Sequence, residues 1–169
     1  MSTSSLLTSL FRYKAWANDE LFAAAAALED GAHAEALHGV IRILNHIHVV
    51  DSIFAAHLQG REHGYAATNT PETPALADLR AAVSETDAWY LAHVAGLDEQ
   101  GLAQRLDFVF TDGGHGSMSR EEMLMHVITH GGYHRGAAGR ILAQQDIAPP
   151  RDLYTRFLHD SQPARRAAD

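Results

Sequence analysis

Three observations predict an all-α protein, a four-helix bundle with a short loop or hairpin before its last long helix. Four long stretches carry apolar residues every three to four positions, helix-type caps and stops bound several of them, and only one short run alternates as a strand would. The chain has 169 residues and 46% hydrophobic content, enough for one domain with a substantial core. That domain is expected over 1–160, with a frayed tail over 161–169.

The first helix is drawn by Leu6, Leu7, Leu10, Phe11, Lys14, Ala17, Leu21 and Phe22, and the alanines over 23–27 prolong it at high intrinsic propensity. After "EDGAHAEA" a second stripe holds Leu37, Val40, Ile41, Leu44, Ile47, Phe54 and Leu58, and stops near Gly60. "REHGYAATNTPETP" is rich in turn formers, and its Thr73 followed by Pro74 predicts a cap and a proline at the first helical position. The third helix then follows Leu76, Leu79, Val83, Thr86, Tyr90 and Val94. "QRLDFVFTDGGHGSM" alternates briefly around an Asp-Gly-Gly turn, which predicts an irregular loop or small hairpin. Ser119 and Glu122 form the S-x-x-E capping box of the last long helix, which "APP" ends after about Gln145. A short helix over 153–159 is expected to cross one end of the bundle.

Composition narrows the function. A formal charge of −8 argues against a general nucleic-acid surface, which needs clustered Lys and Arg. With no cysteine there is no disulfide and no thiolate ligand, so any metal must sit on nitrogen and oxygen. Neither a signal-peptide pattern nor an unbroken apolar run of about 18 residues is present, and a cytoplasmic protein without a membrane partner is expected.

"HVITHGGYHRG" sets His126, His130 and His134 four apart among Gly131, Gly132 and Gly136. Two histidines so spaced lie about 6 Å apart along a helix and can close on one ion, whereas the outer two are about 12 Å apart. One ion therefore takes His126 with His130 or His130 with His134. Each glycine costs roughly 1 kcal/mol inside a helix, a cost normally offset by close packing or by access to a site. A third ligand would come from "LNHIHVVD", where His46 and His48 are about 160° apart and only one can face the pair. Spacing alone does not choose between them. Asp51 falls on the apolar stripe near Leu44 and away from His46, which makes it a buried carboxylate in need of a partner and a structural residue before a ligand.

Taken together, "YKAWAND", "LNHIHVVDSIFAAHLQG", "HVITHGGYHRGAAGRILAQQ" and "PPRDL" resemble the DinB/YfiT-like family of metalloenzymes. The resemblance spans nearly the whole chain in motif order, spacing and helix count. It implies an up-down-down-up bundle and a divalent metal, nickel or zinc, held by His46, His130 and His134, with His48 and His126 as neighbours. Three neutral imidazoles leave a divalent ion its full charge and an open position, an arrangement that activates water or a thiol. The resemblance thus implies a metal-dependent hydrolase or thiol S-transferase acting on a small molecule, with a low-molecular-weight thiol as cosubstrate and a homodimer as the assembly. Phe11, Tyr13 and Trp16 are the aromatic residues offered for pairing. The competing class is a non-catalytic metal-binding or interaction module.

Overall fold

The computed structural model describes residues 2–29 and 31–165. Helix α1 (Thr3–Ala25) is capped by Ser2, whose side chain accepts from the Ser5 N–H, and runs out into a 3-10 turn over Ala26–Leu28. Helix α2 (Ala34–Leu58) follows, and then α3 (Leu76–Ala95). The start expected at Thr73 and Pro74 is displaced: the N-cap is Ala75, with no side-chain cap. Proline's fixed φ suits extended backbone as well as a first helical turn, and the helix begins where Leu76 first reaches the core. A short α4 (Glu99–Ala103), capped by Asp98, was too brief to show a period.

The segment read as loop or hairpin is a hairpin, with β1 (Arg105–Val109) antiparallel to β2 (His115–Ser119) and Phe108 opposite Gly116. A Cβ at Gly116 would lie 2.7 Å from the Phe108 ring, so glycine there is a steric need. Helix α5 (Arg120–Gln144) opens with the foreseen box: the Glu122 N–H donates to Ser119 Oγ and the Ser119 N–H to Glu122 Oε2. Helix α6 (Tyr154–Ser161) closes the fold, and of the expected tail Pro163–Arg165 form a 3-10 turn while 166–169 lie outside the described residues.

Two apolar clusters give the helix directions. One joins Leu7 and Phe11 of α1, Phe54 and Leu58 of α2, Tyr90 and Val94 of α3, and Met123 and Val127 of α5. The other joins Leu21 and Phe22, Val40 and Ile41, Leu76 and Leu79, and Ala138 and Leu142. Hence α1 and α5 run one way and α2 and α3 the other, the up-down-down-up order. Helix α2 packs against α5, α1 against α3, and the parallel pairs complete the square. By length and apolar content α2 could cross a membrane, but 67% of its apolar window is buried inside the protein, as in a core helix.

Between the clusters lies a polar waist to which each long helix contributes. Lys14 of α1, fully buried, donates to Asp51 Oδ2 of α2 at 2.7 Å and to Asp87 Oδ1 of α3 at 2.6 Å. Asn18 bridges Asp87 Oδ2 to Arg135 Nη1 of α5, and Arg135 Nε donates to Asp152 Oδ2 at 2.8 Å. Burial acts to lower the Lys14 pKa, but the two carboxylates override it and raise it. Burial pushes the Asp51 carboxyl up to about 6 against the pull of Lys14. Asp51 is thus the structural carboxylate its position implied. The third-helix stripe also needs correction, because Asp87 is buried and Thr86 only half-buried: the waist has a cation for Asp87 to meet.

The aromatics of α1 are spent within the chain. Phe11 stacks on Tyr90 at 4.9 Å, while Tyr13 and Trp16 pack under Tyr154 and Phe157 of α6. They no longer argue for a pairing face.

The glycines of α5 divide similarly. A Cβ at Gly131 would meet Arg135 Nη1 at 3.1 Å and Lys14 Cε at 3.6 Å, so the chain does pass close there, to the waist. At Gly132 only Arg135 Nη2 is near, at 3.8 Å, and at Gly136 nothing lies within 4 Å. Among the three glycines of the histidine segment, close approach explains Gly131 alone. Gly132→Ala is therefore expected to raise stability by up to about 1 kcal/mol. Gly131→Leu should lower it by about 1–3 kcal/mol through overpacking. Urea melts of the two variants check the contrast, and a loss at Gly132 would contradict it.

Candidate metal centre

Helix α5 places His130 and His134 one turn apart, and α2, antiparallel beside it, brings His46 to the same point. The ring centroids are 4.4 Å apart for His130 and His134, 4.6 Å for His46 and His134, and 4.9 Å for His46 and His130. One ligand nitrogen from each lies within 4.8 Å of the others, and all three residues are half-buried. Among the described residues no other group of three His, Asp or Glu meets this condition.

The nitrogens converge as ligands would. His130 Nε2 stands 3.1 Å from His46 Nε2. In a tetrahedral site with bonds of about 2.0–2.1 Å, neighbouring donors are about 3.3 Å apart, so the pair needs little adjustment to take an ion. His46 Nδ1 donates to the Thr68 carbonyl at 2.7 Å, which sets the tautomer and leaves Nε2 its lone pair. His130 Nδ1 is buried without a partner. Burial, with His134, His46, His126 and Lys14 nearby, brings the His130 pKa down to about 3, and burial and His46 lower His134. Both are neutral at pH 7, the form that ligates. The donor set of three converging imidazoles therefore fits a divalent ion.

The choices left open by spacing are resolved. His46, not His48, faces the pair. His48 lies toward Lys14 and Asp87, its pKa lowered first by burial and then by Lys14, and its Nδ1 is buried and unpaired. His126 stands outside the triad, its ring tilted against Phe54 at 4.6 Å and stacked on His130 at 5.4 Å, and burial lowers its pKa. Tyr133, 78% exposed, sets its ring edge-on to His134.

The support behind His46 was not anticipated. Thr68 belongs to the segment read only as turn formers, and that segment is stapled to α2: Asn45 Nδ2 donates to Asn69 Oδ1 and Thr70 Oγ1, and Asn69 Nδ2 to the Arg42 carbonyl. Asn45, 3% exposed and next to the ligand, was the available signal. Asn69→Ala should release the Thr68 carbonyl and weaken metal affinity about 10- to 100-fold without changing the fold. Competition with a chromogenic chelator measures this, and unchanged affinity would remove the strap's role.

A family model described as the DinB family matches residues 1–166. No curated protein and no solved structure matches the chain.

Proposed function

Given that the chain belongs to the DinB family, we propose that it is a divalent-metal enzyme, with nickel or zinc held by His46, His130 and His134, that acts on a small molecule as a hydrolase or thiol S-transferase. The observation that carries this is the convergence of three imidazoles from two helices, with His46 Nδ1 held from behind by the Thr68 carbonyl. When bound, the ion supplies Lewis acidity and a position open to a small nucleophile.

The protein's own residues supply orientation before acid–base chemistry. Asp51, the carboxylate nearest in sequence to the first ligand, is committed to Lys14 inside the core and is no general base for this centre. That favours a thiol over water as the nucleophile, because coordination itself deprotonates a thiol. With no cysteine in the chain, the sulfur belongs to a low-molecular-weight cosubstrate.

Purified protein reconstituted with Ni²⁺ or Zn²⁺ and offered thiol–electrophile pairs, esters and amides tests the reading. Metal-dependent turnover of a thiol pair supports it, turnover of esters or amides supports the hydrolase form, and no turnover with any of them counts against catalysis. The second reading is a structural ion, favoured by the way the triad bridges α2 and α5. Chelation separates the two, since a staple takes helicity with it and a catalytic ion leaves the fold intact. A homodimer, proposed on the family resemblance alone, would be removed by sedimentation of a monomer at micromolar concentration.

A further inference from the structure

Gly136, in the H-R-G segment, is not explained by packing or by the metal centre. It opens onto a cavity of about 330 Å³ between α1, α5 and the 149–152 segment. Ala17, Leu21, Ala143, Pro149 and Pro150 make the walls apolar, and Gly139 lets Pro149 close one side, where a Cβ would stand 3.3 Å from it. On the helical wheel positions 136, 139 and 143 lie about 140–160° from the midpoint of 130 and 134, and 140 about 100° from it, and none of the three histidines lines the cavity, so this is not the mouth of the metal centre.

The charge lining the cavity is uneven. Arg135, 3% exposed, is committed to Asp152 and Asn18 and carries no surplus. Arg140 also lines the cavity, is exposed, and has no hydrogen bond or ion pair among the described residues. One cation is thus left over beside an apolar chamber of a size that takes a small ligand.

We propose that this cavity is a second ligand site, for a monocarboxylic acid with an apolar body. The apolar part fills the space above Gly136, and the carboxylate pairs with the Arg140 guanidinium, a planar fork suited to two carboxylate oxygens. A multiply charged phosphate would lack a second free cation and a polar wall. The proposal is independent of the metal reading.

Calorimetric titration of the purified protein, with and without added Zn²⁺, with benzoate, hexanoate and neutral benzyl alcohol tests it. One benzoate or hexanoate per protomer is expected. Gly136→Leu fills the chamber from an exposed helical position and should abolish binding while circular dichroism stays unchanged. Arg140→Gln should weaken benzoate about tenfold or more and leave benzyl alcohol unaffected; this variant carries the test if Gly136→Leu folds poorly. Three results would overturn the proposal. They are no saturable acid binding at millimolar concentration, acid binding that survives both substitutions, and a wild-type dimer that Gly136→Leu dissociates, which would make a second copy the occupant.

Discussion

Alanine at His130 is expected to abolish stable metal binding, and alanine at His46 or His134 to weaken it by more than about a hundredfold, beyond the usual cost of losing a supporting contact. Each of the three rings lies against the other two, and His130 is the most tightly placed, with its Nε2 3.1 Å from that of His46 and its ring 4.4 Å from that of His134. Without it, His46 and His134 remain, on two different helices and one bond short of a three-histidine site. His126→Ala and His48→Ala should keep the metal, since the first ring packs on Phe54 and the second lies toward Lys14. Elemental analysis of the five variants after loading with Ni²⁺ or Zn²⁺ gives the answer. Retention by His134→Ala together with loss in His126→Ala would move the clamp one turn toward the N-terminus of α5. Full metal in all five would remove the centre altogether.

Lys14→Met should destabilise the protein by about 3–5 kcal/mol, because it leaves buried Asp51 and Asp87 without their shared cation. The shape of the chain is nearly retained, so the loss is electrostatic before it is one of packing. The pH dependence distinguishes these causes. Asp51 stands at about 6 with Lys14 present and should rise further without it. A carboxyl whose folded pKa lies above its unfolded value favours the folded state when protonated, and that stability is lost as pH rises through the folded pKa. The destabilisation should therefore be smallest near about pH 5 and deepen toward about pH 8. Asp51→Asn in the Lys14→Met background should recover part of it. A pH-independent loss, or one under about 1 kcal/mol, would show that the waist contributes packing alone.

The helices were legible because each carries its own signal: a 3.6-residue apolar period, an alanine run, or a capping box whose two halves lie three residues apart. The i, i+4 pair His130 and His134 was legible for the same reason, since helix geometry relates residues on one element without reference to any other. The choice between His46 and His48, the strap behind the ligand and the waist were not. Each needs the rotation of α2 about its axis or the path of the 59–75 crossing, and these follow from how four helices pack together. Asp51 and Asp87 illustrate the division. Asp51 sits on the apolar stripe of α2, so a buried carboxylate needing a partner is read from that helix alone, whereas the stripe of α3 reads as passing through Thr86 and leaves Asp87 out. That one lysine of α1 serves both could not be read from any one helix, because a buried ion pair is selected by distance in the folded state and leaves no periodic trace along the chain. Local sequence thus determined the elements and the histidine pair on α5, and tertiary packing decided which histidine of α2 joins that pair and what holds it in place.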